Sequence, residues 1–120
     1  MGPVNLGNPS EFTINELSNL IKNLTKINGL KRIRFITSHP LDMEKKGLIA
    51  IHKNESKLMP YLHLPVQSGS DKILKNMNRN HTIEEYLQII EKLKNKNSSI
   101  KFSSDFIIAY PDETKDDFEK

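Results

Sequence analysis

His63-Leu64-Pro65-Val66-Gln67-Ser68-Gly69-Ser70-Asp71-Lys72-Ile73-Leu74-Lys75-Asn76-Met77-Asn78-Arg79 is the stretch on which the reading of the fold turns. It continues an apolar run, Tyr61-Leu62-His63-Leu64, that Pro65 stops. Four small or polar residues, Gln67-Ser68-Gly69-Ser70, lead to Asp71, which opens a helix running to about Met77. A strand that passes through a glycine-bearing polar loop into a helix is where α/β proteins gather their ligands.

The same layout recurs on both sides. Downstream, Thr82-Ile83-Glu84-Glu85 has the spacing of a capping box. The helix it opens carries Tyr86, Leu87, Ile89, Ile90 and Leu93 and frays in the lysine and asparagine run that follows. Ile100 to Ala109 reads as a further strand, buried towards its end. Tyr110-Pro111-Asp112-Glu113 is a turn, and Thr114 with Asp117 begins another helix.

Upstream, Ile33-Arg34-Phe35-Ile36-Thr37 is a strand closed by Ser38-His39-Pro40. Asp42 caps a helix whose apolar face holds Met43, Leu48, Ile49 and Ile51. Before it, Thr13-Ile14-Asn15-Glu16 is another capping box, and Ile14, Leu17, Leu20, Ile21, Leu24 and Ile27 follow at helical spacing. Asn28-Gly29 ends that helix, and residues 1–9 read as loop.

Strands separated by helices of this length imply right-handed crossovers and a parallel sheet. A closed barrel of this type takes about 250 residues, and this chain has 120. The expected architecture is therefore α/β, a partial (β/α) TIM-type barrel fragment of about three parallel strands with alternating helices.

The bulk properties bound the chemistry. The chain has room for one domain, holds no cysteine and carries a net charge of +3. Without cysteine it forms neither a disulfide nor a thiolate-bound metal or cluster. No signal peptide or membrane-spanning run is evident, so a cytoplasmic location is expected. The lysines fall on exposed helix faces, which favours a solvated surface over a nucleic-acid footprint.

Ligands in such folds sit at the carboxyl ends of strands. Gln67 has an amide suited to a ribose hydroxyl or a carboxylate, or to tying down loop backbone. Arg79, after a helix that brings the chain back towards the same rim, is either a carboxylate partner or a surface residue. Asp105 sits among Phe102, Phe106, Ile107 and Ile108, where a carboxylate needs a ligand or a structural hydrogen bond. His39 and His63 lack partners at metal-ligand spacing, and hydrogen-bonding roles are expected for them. His81 reads as a surface or loop-packing residue. Neither a catalytic residue nor a metal ligand is predicted.

At these residues the chain resembles the radical S-adenosylmethionine (SAM) methylthiotransferases, and within them the MiaB-type tRNA (dimethylallyl)adenosine branch. The matching blocks are Arg32-Ile33-Arg34-Phe35 with Thr37-Ser38-His39-Pro40, then His63 to Asp71, then Met77-Asn78-Arg79 with His81-Thr82 and Tyr86. Ser103-Ser104-Asp105-Phe106-Ile107, Pro111 and Glu113-Thr114 complete the set. The Leu64-Pro65-Val66-Gln67-Ser68-Gly69 run and Asp105 separate this branch from the ribosomal-protein and threonylcarbamoyl-adenosine branches.

The resemblance implies a reaction. A 4Fe–4S cluster on a Cys-x3-Cys-x2-Cys loop reduces SAM to a 5′-deoxyadenosyl radical, which attacks the adenine ring of the modified adenosine beside the anticodon. A second cluster supplies sulfur, another SAM supplies the methyl group, and a TRAM domain grips the tRNA. It further implies that Gln67 and Arg79 contact the ribose and carboxylate of SAM and that Asp105 helps hold its polar part. Ser38 and Ser68 would line the same rim, and Ala109 and Tyr110 would offer backbone to the adenine.

Residues 1–120 then form the central to carboxyl-terminal part of a radical SAM core domain. The amino-terminal methylthiotransferase domain, the cluster loop and the TRAM domain are absent from these residues. The isolated chain is expected to be inactive, unless a second chain supplies the cluster half of the barrel. The alternatives are a non-catalytic RNA- or protein-binding module and a remnant of a split gene. The family pattern Gly-Phe-Pro-Gly-Glu-Thr is replaced here by Ala109-Tyr110-Pro111-Asp112-Glu113-Thr114, so both glycines are lost.

Overall fold

From Tyr61 to Ser70 the residues alternate without a break between half-buried and buried, the period-two mark of an extended chain covered on one face. The computed structural model describes residues 14–36, 40–44 and 48–120. Strand β1 (Tyr61–His63) pairs in parallel with β2 (Lys101–Ser103), with Tyr61 opposite Lys101 and His63 opposite Ser103. Pairing continues beyond both strands. Leu64 N–H donates to the Ser103 carbonyl at 2.9 Å, Gln67 N–H to the Asp105 carbonyl at 3.0 Å, and Ile107 N–H to the Gln67 carbonyl at 2.8 Å.

Leu62, Leu64 and Val66 form the covered face of this run. They share one apolar core with Tyr86, Ile89 and Leu93 of α5 (Ile83–Lys96), Ile21 of α1 (Ile14–Thr25), Met43 of α2 (Pro40–Glu44) and Leu48 and Ile51 of α3 (Leu48–Asn54). Each such aliphatic side chain contributes about 1.5–3 kcal/mol of transfer free energy when fully buried. Among the described residues no helix is long and apolar enough to cross a membrane.

Local signals set the helix ends. Glu85 N–H donates to the Thr82 hydroxyl at 3.2 Å, and Thr82 N–H donates to Glu85 Oε2 at 2.8 Å, so the expected capping box opens α5. Thr114 and Asp117 repeat it at α6 (Lys115–Phe118). Gly29, at φ +81°, takes the left-handed turn expected after α1.

Several expectations are corrected. Of the strand expected at Ile33 to Thr37, the described residues 33–36 form a single bridge, Ile33 to Leu58, and Ile36 is exposed. The helix expected from Asp42 begins at Pro40, where a proline costs no hydrogen bond in the first turn. A separate helix, α3, then follows. As expected, α4 (Asp71–Asn76) opens at Asp71; its N-cap is Ser70, and Asp71 Oδ1 accepts the Ile83 N–H at 2.8 Å and ties α4 to α5. Leu20 and Leu87 lie exposed on their helices, and Ile27 lies exposed in the bend after α1, which ends at Thr25. The strand expected over Ile100 to Ala109 is β2 at residues 101–103 with a further single parallel bridge, Phe106 to Gln67, and Phe106, Ile107 and Ile108 are exposed rather than buried. Among the described residues β2 has a strand neighbour on one side alone. The Thr13 cap, Thr37, Ser38 and His39 lie outside the described residues.

Candidate functional site

Pro65 has no N–H to give the ladder, and two side chains take over the backbone around it. The Tyr86 hydroxyl donates to the Leu64 carbonyl at 2.9 Å, and Val66 N–H donates to Ser104 Oγ at 2.8 Å. Gln67 follows at φ +75°, a left-handed backbone. Both its backbone groups are spent on the β2 side of the rim, so the conformation is fixed from across the sheet.

The loop is anchored again at its far end. Ser70 N–H donates to Ser68 Oγ at 3.1 Å, and Ser70 Oγ donates to Asp117 Oδ1 at 2.7 Å. Lys72 Nζ reaches Asp117 Oδ2 at 2.8 Å, and the Thr114 hydroxyl donates to the same oxygen at 2.7 Å. The Lys72 ammonium foremost, then the Thr114 and Ser70 hydroxyls, hold the Asp117 carboxyl well below the usual carboxylate range.

Gln67 and Ser68 line a cavity of about 180 Å³ together with Phe106, Ile107, Ile108 and Glu113. A neighbouring cavity of about 300 Å³ shares Ile108 and Glu113 and adds Ala109 and Thr114. Ala109 and Asp112 have φ of +57° and +64°. The glycine-type turn is thus kept by residues that carry a Cβ. Ala109 N–H donates to Glu113 Oε2 at 2.6 Å, and the Tyr110 carbonyl accepts Glu113 N–H at 2.9 Å. The Tyr110 hydroxyl points elsewhere and donates to the Asn76 carbonyl at 3.1 Å.

Gln67, Ser68 and Ala109 are therefore brought together along one rim. Arg79 is not on it. It lines a separate cleft of about 430 Å³ with Asp71, Lys75, His81 and Glu85, and its Nε is buried without a hydrogen-bond partner. Asp105 is not sunk among apolar side chains as expected. Its side chain is 68% exposed, and its Oδ2 lies 3.4 Å from His63 Nε2. Its backbone carbonyl accepts the Gln67 N–H.

Sequence reasoning missed two groups. One is the Asp117 anchor, visible only as a second capping box. The other is a polar row across the strands: Tyr61 OH lies 2.6 Å from Ser103 Oγ, which lies 2.8 Å from His63 Nδ1. Its signal is polar residues two apart on both strands, but the register that joins them is not written in either strand.

Comparison with known proteins adds the following. Residues 5–120 match the radical SAM superfamily. The chain is 60% identical over 104 residues to a tRNA-2-methylthio-N(6)-dimethylallyladenosine synthase of Neorickettsia sennetsu, covering 87% of this chain and 22% of that protein. The synthase of the same name from Bartonella bacilliformis is 57% identical over 104 residues, with 87% and 22% covered. That of Ehrlichia chaffeensis is 55% identical over 104 residues, with 87% and 23% covered. The chain thus spans less than a quarter of the length of these curated relatives.

Proposed function

The chain belongs to the radical SAM superfamily, and from that premise we propose that it is part of an enzyme that methylthiolates N6-(dimethylallyl)adenosine beside the anticodon of tRNA. The observation that carries this reading is the high identity to synthases of that name along most of the chain. On this reading the parallel runs around Ile33, β1 and β2 are consecutive walls of a (β/α) barrel, with the Gln67 rim at its ligand end. The core domain would fill residues 1–120.

When bound, SAM with a reduced 4Fe–4S cluster would supply radical chemistry for the adenine ring. These residues hold no cysteine, so the cluster would be held by residues outside them, in the same protein or in a second chain. The rim fits the polar and apolar parts of SAM. The Gln67 amide would take a ribose hydroxyl, with Ser68 beside it. The exposed Asp105 carboxylate would accept from the polar end. Phe106 and Ile108 offer the adenine an apolar surface, and the backbone at Ala109 and Tyr110 flanks it. Arg79 lines a separate cleft, so the rim reading rests on Gln67, Ser68, Asp105 and residues 106–110.

Two experiments test the reading. Deleting the gene for this chain should leave dimethylallyladenosine in hydrolysed tRNA and remove its 2-methylthio form, read by mass spectrometry; an unchanged nucleoside profile would overturn the function. Titrating SAM into the ¹⁵N-labelled chain should shift the amides of Gln67 to Ser70 and of residues 105–110. A folded chain that shows no shifts there would overturn the rim assignment.

A further inference from the structure

The two faces of the β1–β2 pair differ in kind. One is apolar and sealed by helices. Along the other, Arg34 Cζ stands 4.6 Å over the Tyr61 ring, and Tyr61, Ser103, His63 and Asp105 follow in contact. Parallel sheets covered on both faces are apolar on both; a polar row on one face marks a surface that meets something polar. The register places His63 opposite Ser103 and so puts Asp105 on the same face, two residues further on.

Donor accounting gives the row a direction. An ionised carboxylate only accepts, so a bond from His63 to Asp105 requires the hydrogen on Nε2. In the neutral ring Nδ1 would then accept from the Ser103 hydroxyl, and Ser103 from Tyr61. In that arrangement every hydrogen in the row points towards Asp105. Ser103 also takes the Tyr61 hydrogen, which makes it a link in the row rather than a nucleophile.

We propose that His63 is a positioning residue: it holds the Asp105 carboxylate ready for the polar part of SAM, with its own ring anchored on Ser103. This rests on the reading that Asp105 meets the polar part of SAM. An exposed carboxylate loses rotamer freedom when a ligand orders it. His63, 24% exposed in its side chain and bonded to Ser103, restricts that freedom beforehand. The 3.4 Å separation lies a few tenths of an ångström beyond an ordinary N–H···O bond, so a ligand that draws Asp105 in closes it.

The test has two parts. In the ligand-free chain, long-range ¹H–¹⁵N spectra should show His63 as the Nε2–H tautomer; the Nδ1–H tautomer would overturn the proposal. SAM affinity is then measured by calorimetry for the wild type, D105N, H63Q and H63N. Glutamine places an amide hydrogen near the Nε2 position, whereas asparagine reaches only towards Ser103. H63N and D105N should each weaken binding roughly tenfold or more, and H63Q by no more than about threefold. Equal weakening by H63Q and H63N, or none by either, at unchanged melting temperature overturns the positioning role. No binding by the wild type, with the tautomer as expected, overturns the SAM reading of the rim instead and leaves His63 nothing to position.

Discussion

The Tyr86 hydroxyl donates to the Leu64 carbonyl at 2.9 Å, from the buried face of α5 to the end of β1. It meets the backbone where Pro65 interrupts the ladder. Burial raises the Tyr86 pKa against the opposing pull of Ser104, so the hydroxyl keeps its proton beyond the ordinary tyrosine range.

Tyr86→Phe should therefore destabilise the chain by about 1–2 kcal/mol, because a buried carbonyl loses its partner. Urea denaturation measures this. With the folded pKa raised, the tyrosine's contribution is full below the unfolded value of about 10 and is lost as pH rises towards the folded one. The variant should lack that alkaline loss, and an unchanged midpoint would show that the bond contributes nothing.

Ala109 and Asp112 hold left-handed backbone, which costs a residue with a Cβ about 1–2 kcal/mol. Ala109→Gly should stabilise the chain by about 0.5–1 kcal/mol once glycine's greater freedom in the unfolded state is deducted. Asp112→Gly should gain less, since aspartate tolerates this region. Thermal melts of the two variants check the order. If Ala109→Gly is destabilising, the turn is not the one described.

What could be read from the sequence was mostly what is encoded within four residues. Thr82 with Glu85 and Thr114 with Asp117 each specify a helix start locally, and both formed. The apolar run from Tyr61 to Leu64 likewise marks β1 within one segment. The Ile33 strand shrank to a bridge because strand propensity expresses itself only against a partner. Residues 106–108 looked buried because composition reports apolarity, not coverage. The row from Tyr61 to Asp105 joins residues some 40 positions apart, and only the β1–β2 register brings them together.

His52 is 4% exposed, packs its ring 5.6 Å from that of Phe35, and has no hydrogen-bond partner on either ring nitrogen. Burial lowers its pKa to about 4. The unfolded chain then takes up the proton first, so stability is full above the unfolded value of about 6.5 and falls as pH drops through the window towards 4. The loss approaches about 3 kcal/mol at the acid end. His52→Leu should flatten that part of the pH–stability curve, and an unaltered curve would place its origin elsewhere.

Asp117 gives a second acid-sensitive element, at lower pH. Its carboxylate joins Ser70 and Lys72 to Thr114 and so clamps the Gln67 loop onto α6. Its folded pKa is depressed, so its contribution is present above the ordinary carboxylate range and is lost as pH falls below it. Asp117→Asn keeps the shape but removes the charge that Lys72 meets. The melting temperature should fall, and amide exchange should quicken at Gln67 and Ser70 while the middle of α5 keeps its protection. Ser70→Ala, which removes one bond and leaves the Lys72 pair, should give the same pattern more weakly. Exchange that quickens equally in α5 would mean that Asp117 supports the whole fold rather than the rim.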